Sequence, residues 1–264
     1  MILAVILPAA QMLSESVDSR LKTADPTNGV ARFSGYPSGA AQDKFSPNPL
    51  FWAKDVDFSC ASPWNSQSGA LRAGTLVSKR HVIFAKHFPV GEGARMSFVD
   101  NEGQVCACRI VKMKPIKSAD IMVGLLDYEV TPNIHPAKIL PVDYERYLGD
   151  CDRLPIATFN KREELTVSDW RPPPTNVVWY AARGKEPTDA RRFAFRCWAV
   201  PGDSGNPAFF IAGREPILLY TLQGGMYGAG SSMHVFRREI QAAMDELCPG
   251  YKLESFDFAA IERK

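Results

Sequence analysis

No apolar run long enough to cross a bilayer stands out in this 264-residue chain, since a spanning helix needs about 20 such residues. Net charge is almost absent: 31 Lys and Arg against 29 Asp and Glu leave +2. That excludes the strong positive field of a nucleic-acid surface and an electrostatic membrane patch. The six cysteines contain no Cys-x-x-Cys pair, and the four histidines form no cluster. Cys106 and Cys108 are two apart and on a strand would share one face, but they would need distant ligands to chelate a metal, so no metal site is expected. No solenoid-type repeat is visible.

What is present is ordinary globular material: 45% hydrophobic and 23% charged residues. The length suits one large domain or two small ones, with enough chain to bury a core unaided. Twenty prolines and nineteen glycines are scattered rather than bunched, a pattern of many short strands joined by turns. The even cysteine number is compatible with disulfides in an exported protein, or with buried free thiols. Residues 1–10 form a short apolar run ending in small residues, signal-like but without a basic lead-in. Export to a periplasmic or extracellular space is the expectation, with a cytoplasmic location as the alternative.

Along the chain, residues 1–48 read as an N-terminal extension, polar and irregular from residue 11. Short apolar runs begin at Phe51. Ala73–Val77 and His81–Phe84 flank Ser78-Lys79-Arg80 as one hairpin, and Arg95–Val99 and Gln104–Val111 flank Asp100-Asn101-Glu102-Gly103 as a second. Ile121–Leu126 is a continuous apolar strand. After a proline-punctuated connection, further strands are expected at Leu154–Phe159, Val177–Ala181, Phe193–Trp198, Pro207–Ile211, Ile217–Leu222 and Ser231–Val235. A helix is expected over 236–247, where Ile240, Met244 and Leu247 recur at helical spacing and Gly250 follows. The reading is all-β: two clusters of antiparallel strands, 49–143 and 144–250, a closing helix and a tail at 251–264.

Three segments carry chemistry. One runs from Gly74 through Ala85-Lys86-His87. A second is Ser118-Ala119-Asp120-Ile121-Met122-Val123-Gly124-Leu125-Leu126. The third is Pro201-Gly202-Asp203-Ser204-Gly205-Asn206-Pro207. A serine hydroxyl is a weak nucleophile and needs a base within hydrogen-bond reach, usually an imidazole held by a carboxylate. Glycines around Ser204 allow a tight turn whose N–H groups converge on one spot, where an oxyanion would form. His87 follows a strand on a short turn, and Asp120 precedes a wholly apolar strand.

These segments resemble those of the chymotrypsin-like serine proteases, in the order His, Asp, Ser that distinguishes that family from α/β-hydrolases and subtilisins. The resemblance spans residues 55 to 248. It implies two six-stranded antiparallel β-barrels with a C-terminal helix, and a serine endopeptidase acting through an acyl-enzyme without a cofactor. In the matching positions His87 is the general base, Asp120 its orienting acid and Ser204 the nucleophile, with the N–H groups of Gly202 and Ser204 as the oxyanion hole. Trp198 falls where trypsin-type members keep the pocket aspartate, and Gln223-Gly224-Gly225 falls on the strand lining the substrate cleft. The implied partner is a peptide or protein substrate, met by a monomer with neither nucleic acid nor stable membrane insertion.

Departures from the pattern are specific. Asn206 replaces a glycine, Lys86 replaces an alanine, and Phe88 stands where many animal members have a disulfide cysteine. No Arg/Lys-Ile-Val-Gly-Gly activation site occurs, so Asp203, which in many relatives pairs with a newly cut N-terminus, needs another partner. Within the first barrel, Cys60 with Cys106 or Cys108 is the disulfide considered if the protein is exported. Asp127 competes with Asp120 for the acid, and His81, His135 and His234 are the competing histidines, of which His81 and His135 are read as structural. No carboxylate occurs between Arg191 and Val200, so no preference for arginine or lysine is expected. Two alternatives remain: a catalytically silent binding protein on the same fold, and an α/β-hydrolase esterase, which would need its acid and histidine after the serine.

Overall fold

The computed structural model describes residues 8–35, 45–63, 72–149, 151, 153–171 and 181–262. Helix α1 (Pro8–Leu21) leads into a small ladder of β1 (Phe33–Gly35) and β2 (Ser46–Pro47). Six strands follow: β3 (Ala61–Ser62), β4 (Gly74–Leu76), β5 (His81–Ala85), β6 (Arg95–Val99), β7 (Val105–Pro115) and β8 (Ile121–Leu126). The connection carries β9 (Lys138–Ile139) and α2 (Glu145–Leu148). Then come β10 (Pro155–Phe159), β11 (Leu165–Arg171), β12 (Ala181–Lys185), helix α3 (Ala190–Ala194), β13 (Pro207–Ala212), β14 (Glu215–Thr221) and β15 (Ala229–Ser231). Helices α4 (Arg237–Leu247) and α5 (Ala259–Glu262) come last.

The described residues are mostly β, in two large sheets besides the β1–β2 ladder. The first is six-stranded, in the order β3-β4-β5-β8-β7-β6. Its edge strands β3 and β6 lie against each other, so it is a nearly closed barrel. The second runs β15-β12-β11-β10-β13-β14-β9, seven strands in a half-barrel, with β9 joining β14 in parallel. The second sheet is therefore not the closed six-stranded barrel expected. Without β9, both sheets trace the same ring: first, second, third, sixth, fifth and fourth strand of each group. The first ring is open between its fourth and first strands, the second between its fifth and sixth.

Packing explains why the apolar runs became strands. All five residues of β5 and all six of β13 are buried, as continuous apolar runs require when both faces are covered. The Phe84 ring fits the first core because its cross-strand neighbours are glycines. A Cβ on Gly74 would meet that ring at 2.6 Å, and one on Gly124 at 2.8 Å. The Asp100–Gly103 turn forms as expected, with Asp100 Oδ1 accepting from Glu102 N and Gln104 N. Helix α4 packs Ile240, Ala243 and Met244 inward and rests on β7 and β8.

Four expectations change. Residues 8–21 are helical rather than irregular: Ala9, Leu13, Val17 and Leu21 recur every fourth residue and are buried. Each large aliphatic side chain so buried stabilises by roughly 1.5–3 kcal/mol. Arg20 grips Asp55 through two nitrogens, and Asp18 pairs with Arg192, whose guanidinium also meets buried Asp169 at 3.0 Å. The segment Phe193–Trp198 is not a strand. Asp189 caps α3 by accepting from Arg191 N and Arg192 N, and that cap starts a helix where apolar texture suggested a strand. Strand β11 was not anticipated. The last expected strand, Ser231–Val235, lies mostly in turns, because β15 ends at Ser231. Most of Val177–Ala181, and residues 1–7 of the apolar run, lie outside the described residues.

Candidate active site

The register of the first sheet brings the first two residues together. β5 pairs antiparallel with β8, and Ala85 faces Ile121. The residue two beyond β5 therefore meets the residue one before β8, and these are His87 and Asp120. Asp120 holds the histidine twice: Oδ1 accepts from the His87 main-chain N–H at 2.8 Å, and Oδ2 lies 2.5 Å from Nδ1. A carboxylate at Nδ1 places the proton there and leaves Nε2 as the acceptor. That nitrogen lies 2.9 Å from Ser204 Oγ. Lys86 fastens the same corner, its Nζ donating to the carbonyls of Ile116 and Ala119 in the turn before Asp120.

Ser204 comes from the other sheet, three residues before β13. The β13–β14 ladder continues into its loop, because Gly205 N donates to Leu222 O and Leu222 N to Asn206 O. Gly205 has φ +89° and faces the first barrel so closely that a Cβ would sit 3.0 Å from Ala73 O. Conformation and space both demand glycine there. The Asn206 side chain donates to Asp203 O, so the departure from glycine ties the turn together. Gly202 has φ +98°, and among the described residues neither its N–H nor that of Ser204 has a protein acceptor. Two donors therefore remain available beside Ser204.

Asp203 finds its partners in the main chain. It is 3% exposed, and its carboxylate accepts from Lys161 N at 2.9 Å and Val200 N at 2.8 Å. The Lys161 side chain continues over the loop, with Nζ on Pro201 O and Cδ 3.2 Å from where a Gly202 Cβ would be. The turn bearing the two free donors is thus held from the turn between β10 and β11. Asp203→Asn turns one acceptor oxygen into a donor facing an N–H, which loosens that turn. Read as a serine hydrolase, the protein should lose turnover ~100-fold to ~1,000-fold, the scale of losing one oxyanion donor, with KM little changed. A kcat within threefold of wild type would show that Asp203 does not position the loop.

Of the cleft residues, Gln223 bridges the sheets, its Nε2 donating to Asp120 O at 2.8 Å and to Ser231 Oγ at 3.0 Å. A Cβ on Gly224 would meet nothing within 4 Å, and Gly225 has φ +80°. Trp198 is not core, and it lines a small pocket together with Thr158, Ser168, Asp203 and Tyr227. It is 57% exposed, and its indole N–H donates to Tyr227 OH. Glu186, the partner of Tyr227 OH, also pairs with Arg196.

The competing residues lie elsewhere. Asp127 sits at the far end of β8, accepting from Arg109 N and Tyr128 N. His81 and His234 are buried, and desolvation pushes each imidazole down to about 4. His135 pairs with Asp57 at 2.6 Å, an arrangement like that of His87. Ser59 beside it is fully buried and accepts from the His135 main-chain N–H. Cys60, Cys106, Cys108, Cys197 and Cys248 are free thiols, and the disulfide considered for Cys60 is not formed. Cys106 and Cys108 do share one face of β7, their sulfurs 4.0 Å apart.

Sequence reasoning missed Lys161 as a partner of the nucleophile loop. It lies 42 residues from Asp203, and nothing local marks it. A separate cavity, lined by Arg32, Phe33, Phe51, Lys54, Asp100 and Asn101, is formed between the N-terminal segment and the first barrel and includes none of the three catalytic candidates. Set against protein-family models and curated proteins, the chain matches none significantly.

Proposed function

We propose that the protein is a serine endopeptidase on a two-barrel, chymotrypsin-like fold, working through Asp120, His87 and Ser204. The observation that carries this reading is the unbroken hydrogen-bond chain from Asp120 through His87 to Ser204, assembled across the seam between the sheets. The common ring order of the two strand groups supports the fold assignment. In the proposed reaction Ser204 Oγ attacks the scissile carbonyl carbon as its proton passes to His87 Nε2. The free N–H groups of Gly202 and Ser204 receive the oxyanion. Collapse expels the amine, protonated by His87, and leaves an acyl-Ser204. A water deprotonated by His87 then releases the acid and restores the serine. The reading requires no cofactor.

The test is labelling with a serine-directed fluorophosphonate. One equivalent should attach at Ser204 in the wild type and none in Ser204→Ala. An unlabelled wild type would overturn the catalytic reading in favour of a silent binding protein.

A further inference from the structure

An open cleft of about 460 Å³ is lined by Arg183, Gly184 and residues 223–230, among them Gln223, which holds Asp120 O. Its size falls within the range of small-ligand and side-chain pockets. Four of the eight residues from Gln223 to Gly230 are glycines, so this wall offers backbone more than side chains. Among the described residues the Gly225 N–H has no protein acceptor, leaving it free for an extended peptide.

Arg183 is the only charged side chain in that lining. It is exposed and has no hydrogen-bond or ion-pair partner for its guanidinium among the described residues. Its strand is tied to the catalytic residues through two steps of ladder. Arg183 pairs with Ala229, whose carbonyl accepts from Gln223 N, and Gln223 in turn holds Asp120 O. Glu186, three residues further on, is already bound by Tyr227 and Arg196 and does not neutralise it. An uncompensated cation facing a backbone-lined cleft favours a carboxylate there and disfavours a second cation.

We infer that this cleft selects peptide substrates with an acidic side chain, Asp or Glu, at one position, read by Arg183. The inference rests on the endopeptidase reading above. It is tested by digesting a randomised peptide library with wild type, Arg183→Ala and Arg183→Glu, rates being normalised to phosphonate-labelled active sites. The wild type should enrich Asp and Glu over Asn and Gln about fivefold at one position, the scale of a partly exposed ion pair. Arg183→Ala should lose the enrichment and Arg183→Glu should replace it with Lys and Arg. Cleavage without acidic enrichment, or enrichment unchanged in both variants, overturns the inference while leaving the protease reading intact. If the wild type neither cleaves nor labels, the protease reading fails. Binding of Glu against Gln peptides to Ser204→Ala then decides on the cleft, with equal retention at low salt counting against Arg183.

Discussion

Replacing Ser204 by Ala is expected to reduce peptide turnover by about a millionfold, and adding His87→Ala to that variant should change it little further. The reason is geometric. Ser204 Oγ lies 2.9 Å from His87 Nε2, and the imidazole's work on the departing amine and on water comes only after it has taken the Ser204 proton. Without the hydroxyl it has nothing to activate, and without the imidazole the hydroxyl keeps its proton. The two losses therefore overlap instead of multiplying. The measurement is turnover of a cleavable peptide by both single variants and the double. Losses that multiplied would mean that the two residues do not share one mechanism. Near-normal turnover in Ser204→Ala would end the assignment of this serine.

Asp120→Asn should leave the fold intact and lower turnover about ten-thousandfold, while Asp127→Asn should stay within about twofold. At position 120 an amide oxygen can still accept from the His87 main chain, so the corner survives. The other end of the amide then presents N–H to Nδ1, which forces the imidazole proton onto Nε2, where it blocks acceptance from Ser204. At position 127 the carboxylate serves only Arg109 N and Tyr128 N, and an amide oxygen accepts from these equally well. Equal losses at the two positions would refute the assignment of the acid. A cooperative thermal transition in both variants separates chemistry from unfolding.

The candidate site was legible where each residue carried its own local context. His87 after an apolar strand, Asp120 before one and Ser204 among glycines are patterns of a few residues, and the structure brings these three within hydrogen-bond reach. The hairpins were legible for the same reason, since Asp100 and Gly103 supply their turn chemistry locally. The first helix was written in the chain as well, in Ala9, Leu13, Val17 and Leu21. Its polar intervening residues, Ser14, Glu15, Ser16, Asp18 and Ser19, gave the stretch the texture of a loop. The segment Phe193–Trp198 misled because Asp189, outside the apolar run, starts α3 before it.

By itself, then, the sequence determined the mostly β texture, the closing helix and the identity of the three chemical groups, because those depend on short-range periodicity and on turn residues. It could not determine that Asp203 leans on Lys161 and Val200 main-chain donors, that Gln223 reaches back to Asp120, or that Arg183 is left uncompensated beside the cleft. Nor could it show that the second sheet takes in β9 and stays a half-barrel. Only the tertiary structure decided these, because apart from the local Asp203–Val200 contact each depends on what segments distant in the chain bring together. Such partners are chosen by where the sheets bring backbone donors and charges together, and neighbouring residues leave no mark of that choice.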